Sequence, residues 1–367
     1  MKLGKISAEL KPSPGNPRNS EGAFIRLTNG TIMFCFSKFI GESRADDASS
    51  CIAAVYSYDE GESFCDEKII FSHSDFDADR KCKNVMSVSL MRMADGAVGL
   101  FFLIRYGYDD MGLYLLRSYD EGKSWSEPKR CISTPGYYVT NNDRVVRLNS
   151  GRLIVPANFH RMSDDGGYNS VAFSCFFLSD DDGQTWRESK EFCCMQDKHG
   201  GAGLQETGIV QLKNEVLWAF SRTTKGYHYG AYSFDEGERW TVPVQTWFTG
   251  PCSPLSVKRI SNGMLMAVWN PLPFYATEER TPWGWGRTSL VMSLSDNDGE
   301  TWMQPCFIED CSENAGYCYT AIYDSGQYIL TAYCAGGEED GNCLSKTRIK
   351  KITYDEINEY ISEVKGD

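Results

Sequence analysis

The sequence predicts an all-β fold, a six-bladed β-propeller of four-stranded antiparallel sheets built by residues 1–367 as a single domain. Three observations predict it. An octet recurs five times at a near-constant interval, a hairpin signature recurs six times, and helical periodicity is almost absent.

The octets are SYDEGESF at 57–64, SYDEGKSW at 118–125, SDDDGQTW at 179–186, SFDEGERW at 233–240 and SDNDGETW at 295–302, with starts 61, 61, 54 and 62 residues apart. Serine and aspartate bond backbone groups in a tight turn, and glycine supplies backbone freedom. The closing aromatic packs between sheets. These residues read as a device for holding hairpins at a blade rim, not as chemistry.

The second signature is an apolar run, a short turn and another apolar run. It gives hairpins turning at Asn29-Gly30, Asp95-Gly96, Ser150-Gly151, Lys213-Asn214, Asn262-Gly263 and Ser325-Gly326. A further apolar segment leads from each of the first five hairpins into an octet, so the unit reads strand, turn, strand, loop, strand, octet, strand. The sixth unit, LSKTRIKKITYDEI, has a strand but no octet, and the N-terminal GKISAELK is expected to supply its outer strand and close the ring. A helix is expected near YDEINEYISEV.

Composition narrows the partners. With a net charge of −13 the chain lacks the basic surface that a nucleic-acid groove or an anionic membrane face requires, so neither is expected. An anionic ligand would need a local arginine cluster. The opening MKLGKISAELKPSPGNPRNS has no apolar signal region, and no apolar run reaches the roughly 18 residues of a membrane span. The expectation is a cytoplasmic protein. The 14 cysteines lie in runs such as IMFCFS and AFSCFF and read as reduced, buried thiols, without CxxC spacing for a structural metal site. Neither a metal nor an organic cofactor is expected. The sequence does not indicate an oligomeric state.

The octet is similar to the Asp-box of sialidases and related propellers. That resemblance implies an active site at one mouth of the wheel, where three arginines hold a carboxylate, an aspartate serves as acid/base, and a tyrosine pairs with a glutamate. LQETGIVQLKNEVLWAFSR resembles the sialidase segment that opens on the glutamate and ends on the second arginine, which implies Glu206 and Arg222; a hairpin brings those two ends together. Arg18, twelve residues before its turn glycine, stands where the family has its first arginine. Here the chain departs from the family: Asn19-Ser20-Glu21 follows instead of an Ile-Pro pair, which makes Glu21 a candidate polar contact. Arg287, 65 residues after Arg222, stands near the place of the third arginine. Guanidinium groups suit this task because each can grip a carboxylate through two donors.

The resemblance implies an acid/base in SRADDASSC, either Asp46 or Asp47, with Asp47 favoured. It implies a nucleophile in ENAGYCYTAIYDSG, either Tyr317 or Tyr319, with Tyr319 favoured. An uncharged phenol avoids the repulsion that a carboxylate nucleophile would meet from the substrate's own carboxylate, and Glu206 could draw off its proton.

One segment falls outside the family pattern. YYVTNNDRVVRLNSGRLIVPANFH opens the third hairpin with Asn142, Asp143 and Arg144 and closes it with His160. By hairpin logic Arg144 and His160 face the same mouth, to contact a sugar substituent or to serve a different hydrolase or lyase chemistry. In PLPFYATEERTPWGWG, Phe274, Trp283 and Trp285 are candidates to line a sugar pocket. The expected activity is exo-glycoside hydrolysis releasing a terminal sialic acid, with retention, from a small sialoside. The alternatives are cleavage of another acidic sugar and carbohydrate binding without turnover.

Overall fold

The computed structural model describes residues 1–72, 74, 82–195, 201–272, 283–311 and 313–366; Phe274 lies outside them. The hairpin-loop-strand unit folds as read. The first strand, β1 (Lys5–Leu10), precedes a sheet of β2 (Arg18–Arg26), β3 (Ile32–Phe39), β4 (Ser50–Ser57) and β5 (Cys65–Ser72) in sequential order. The second unit is β6 (Asn84–Arg92), β7 (Val98–Arg105), β8 (Asp110–Ser118) and the short β9 (Lys129–Arg130). In the third, β10 (Gly136–Val139) and β11 (Val146–Arg147) both pair with β12 (Leu153–Met162), which continues into β13 (Tyr168–Ser179) and β14 (Arg187–Glu188).

The fourth unit is β15 (Gln205–Gln211), β16 (Leu217–Arg222), β17 (Tyr227–Ser233) and β18 (Val244–Thr249). The fifth is β19 (Ser256–Arg259), β20 (Leu265–Trp269), β21 (Leu290–Ser295) and β22 (Cys306–Glu309). The last comprises β23 (Cys318–Asp324), β24 (Tyr328–Cys334) and β25 (Thr347–Thr353), with β1 added at its outer edge through the Leu10↔Thr347 register.

One feature differs from six separate sheets. Strand β10 runs parallel to β8, with Tyr137 opposite Met111, so the second and third units share one nine-stranded sheet beside four four-stranded ones. The helix α1 (Tyr354–Lys365) starts at a capping box, where Thr353 and Glu356 satisfy each other's backbone N–H groups, and ends at Gly366 in the left-handed region.

Apolar strand faces bury against the neighbouring unit. Met33, Ile52 and Ala54 of the first sheet meet Val98, Leu100 and Phe102 of the second, while Phe34 and Phe36 meet Leu330, Ala332 and Ile349 of the last. Similar clusters join the second unit to the third, the third to the fourth, the fourth to the fifth and the fifth to the last.

The octets supply the staples. In the second, the Ser118 hydroxyl donates to Asp120 at 2.8 Å and accepts from the Gly122 N–H at 2.7 Å; the same pair of bonds forms in the other four. The fourth octet residue takes a left-handed backbone each time, from Glu60 to Asp298. In three octets its carboxylate reaches the preceding unit's hairpin turn: Glu121 accepts from Thr28 N–H, Asp182 from Ala94 and Asp298 from Lys213. The octet therefore fixes its own turn and ties two units together. In the fourth hairpin the left-handed turn residue is Glu215, one position beyond the expected Lys213-Asn214 pair.

Candidate active site

The innermost strand of four units loses register once, between Ser20 and Ala23, Met86 and Ser89, Gln205 and Gly208, and Cys318 and Ala321. At each break one non-glycine residue is held in the left-handed region: Glu21 (φ 57°), Ser87 (59°), Glu206 (48°) and Tyr319 (60°). Such bulges re-aim a side chain at a cost in backbone strain. All four line one cavity of about 310 Å³, together with Asp46, Asp47, Arg105, His160, Gln205, Arg222 and the tyrosines 108, 137 and 168.

At its centre the Tyr319 hydroxyl donates to Glu206 Oε1 at 2.9 Å. Arg222 holds Glu206 from the other side through an Nη1–Oε2 ion pair at 2.9 Å, sits 3.4 Å from the tyrosine oxygen, and is clamped by Gln205 Oε1 at 2.9 and 3.1 Å. Arg287 lies behind Tyr319, its guanidinium 5.5 Å from the ring centroid. Burial pushes the Tyr319 phenol well up, the Glu206 carboxylate pushes it further, and Arg222 and Arg287 pull against both. The resting tyrosine is therefore protonated, with its proton directed at the carboxylate.

Across the cavity the buried Arg18 donates to Asp46 Oδ1 at 2.6 Å and to Glu21 Oε1 at 3.2 Å. Burial drives the Glu21 carboxyl up to about 7 despite the opposing charge of Arg18, with Asp46 and Glu206 adding repulsion. Loss of hydration would also raise Asp46, but the charge and hydrogen bond of Arg18, helped by Arg105 and Arg222, hold it below its ordinary value. Asp47 lines the same cavity.

The placement of the other candidates corrects several expectations. Tyr317 packs in the core between the fifth and last units, its ring 6.2 Å from that of Tyr333, and does not line the cavity. Asp143 and Arg144 are separated from His160. Asp143 accepts from Lys258 Nζ at 2.6 Å and from Ile322 N–H at 3.0 Å, Arg144 donates to the Leu255 carbonyl at 2.7 Å, and both border a different cavity with Arg147 and Arg259. The wide break between β10 and β11 turns them away. His160 does reach the site, edge-on to Tyr137 and tilted against Tyr168; burial lowers its pKa to about 4, so it is a neutral wall residue there. Trp285 is exposed beside the Arg287 guanidinium, in an adjoining cavity of about 490 Å³ that shares Asp46 and includes Arg18. Trp283 is half-buried, and its carbonyl accepts from Cys343 N–H at 3.0 Å.

Arg105 escaped the sequence reading. It ends the second hairpin as Arg222 ends the fourth, donates to the Asp46 carbonyl at 2.7 Å and lies over the Tyr137 ring. That shared hairpin-end position was the signal available for it. Gln205, adjacent to Glu206, had no comparable signal.

The profile of the BNR repeat-like domain family matches residues 54–330. The chain belongs to that family. No curated protein matches the sequence. Among solved structures, the fold of this family member is similar to a Dyadobacter fermentans protein of unknown function, with a TM-score of 0.71, 16% identity, and coverage of 95% of this chain and 99% of that one. It is similar to the NanB sialidase of Streptococcus pneumoniae, with a TM-score of 0.71, 14% identity, and 97% and 71% coverage. It also resembles an intramolecular trans-sialidase from Ruminococcus gnavus, with a TM-score of 0.69, 14% identity, and 96% and 97% coverage. At these identities the likeness is one of fold.

Proposed function

We propose that this protein is an exo-acting, sialidase-like glycoside hydrolase that releases a terminal nonulosonic acid with retention, on a six-bladed propeller closed by β1. The carrying observation is the 2.9 Å hydrogen bond from Tyr319 to Glu206 beneath Arg222. In the proposed course, Arg222, Arg287 and Arg18 hold the substrate carboxylate. Tyr319 attacks the anomeric carbon as Glu206 accepts its proton, and the leaving oxygen is protonated from the Asp46/Asp47 loop. Water then hydrolyses the glycosyl-tyrosine, with the same loop acid serving as base. As the phenol loses its proton, the charges of Arg222 and Arg287 stabilise the oxygen, so the tyrosine becomes nucleophilic only within this cationic frame.

The radial reading is supported by the apolar clusters that join each unit to the next and the last to the first, and by the octet bonds between neighbours. Release of 4-methylumbelliferone from its N-acetylneuraminic acid glycoside tests the activity, with Tyr319→Phe as control. Release by the native protein and none by the variant supports the reading, and binding without release would replace it with a lectin function.

One observation favours a second reading. Arg18 already carries two resident carboxylates, Glu21 and Asp46, which leaves it less free to capture a substrate carboxylate. The same assay run with glucuronide and galacturonide glycosides separates a sialidase from an enzyme for another acidic sugar.

A further inference from the structure

The three site arginines differ in what neutralises them. Arg18 has Glu21 and Asp46, and Arg222 has Glu206. Arg287 is also buried, yet among the described residues no carboxylate forms an ion pair with it. A guanidinium taken out of water without a counter-charge is costly, so this site should hold another anion. The group in contact is sulfur: Arg287 Nη1 donates to Cys318 Sγ at 3.1 Å, while Nη2 donates to the Cys252 carbonyl at 2.8 Å.

We propose that Cys318 is a thiolate in the resting protein, the resident counter-anion of Arg287, and that it positions this guanidinium against Tyr319 for an incoming carboxylate. The inference rests on the glycosidase reading only for what the carboxylate is.

The surroundings suit a sulfur anion. Cys318 is fully enclosed, directly opposite Cys334 in the β23–β24 register, and packed with Cys334, Cys343 and Leu344. The groups facing it are the Cys334 thiol from β24, the Cys343 thiol from the loop before β25, and the Arg287 guanidinium from the loop before β21; Arg18 and Glu21 lie beyond Cys334. Burial alone would protonate Cys318, but S–H donation from Cys334 and Cys343 and the charge of Arg287 reverse the direction and bring its pKa well below that of an ordinary thiol. Each neighbour has the role that a thiolate at Cys318 requires. The Arg287 loop is also tied to this strand, because Tyr317 N–H donates to the Arg287 carbonyl at 2.7 Å. Backbone and side chain together register the arginine on the strand that carries Tyr319.

Cys318 is a positioning residue, since it reaches the reacting atoms only through Arg287. Its state can be read without substrate, from the ultraviolet thiolate absorbance of the native protein compared with Cys318→Ser, with the tyrosinate band monitored alongside. The expected result is roughly one thiolate per chain at neutral pH that is absent from Cys318→Ser and from Arg287→Met. Equal absorbance of native protein and Cys318→Ser, or a signal that survives in Arg287→Met, overturns the proposal. Should the variants fail to fold, the Cβ shifts of carbon-13 cysteine in the native protein decide the matter: one thiolate resonance at neutral pH is expected, and none overturns it. A missing thiolate would leave the glycosidase reading standing, and a protein inactive on every glycoside could still show the thiolate.

Discussion

Glu206 and Tyr319 occupy the same bulged position on the innermost strands of two different units, and their side chains meet through a 2.9 Å hydrogen bond. Each is held in a left-handed conformation disfavoured for its residue type, so the fold spends backbone strain at both ends of one contact. Replacing Tyr319 by Phe should lower kcat by at least roughly a hundredfold, because the proton and the nucleophilic oxygen leave together. Tyr317→Phe should leave activity intact. Its hydroxyl is buried without a hydrogen-bond partner among the described residues, so its removal should hold or raise the melting temperature. Steady-state kinetics and thermal melts of the two variants check this pair of outcomes.

The neighbouring aspartates should separate by leaving group. Arg18 keeps Asp46 ionised, which suits a structural anion better than a resting acid, whereas Asp47 lines the cavity with no such partner among the described residues. Asp47→Asn should cost roughly a hundredfold on a glycoside with a poor leaving group and much less on an activated aryl glycoside. A leaving-group dependence appearing in Asp46→Asn instead would transfer the role to Asp46.

Glu21 makes stability depend on pH. Its folded pKa of about 7 lies above the ordinary 4.5, so between these values the folded chain holds a proton that the unfolded chain has lost. The stabilising contribution is complete below the unfolded value and is lost as pH rises through the folded one, by about 3 kcal/mol in all. Urea midpoints should therefore fall between pH 5 and pH 8, and Glu21→Gln should flatten that slope.

The octets should affect stability and leave chemistry alone. Ser118→Ala removes the acceptor for the Gly122 N–H and a donor to Asp120 at a buried turn, which should cost about 1–2 kcal/mol. Turnover at a temperature well below the melt should match the native protein.

Much of this architecture was legible because it is local. The turn glycines, the octets and the apolar alternation each act within about ten residues, and hairpin geometry alone brings Glu206 to Arg222. What escaped the sequence reading depends on breaks in strand parity. In an unbroken strand residues 317 and 319 would face the same side; the bulge at Tyr319 sends one ring to the cavity and leaves the other in the core. A wider break, the unpaired residues 140–145 between β10 and β11, parts Asp143 and Arg144 from His160, although one hairpin carries all three. The parallel pairing of β10 with β8 was equally invisible, since no local signal specifies which neighbouring unit's edge a short strand will join.

The sequence by itself determined the repeated β units, their stapling turns and the set of ionisable groups available at the strand ends, because short-range hydrogen bonding and periodic burial decide those. Only the tertiary structure decided which of those groups share a cavity. That choice depends on register breaks and on polar groups brought together from strands far apart in the chain, such as Tyr319 beside Glu206 and Arg222.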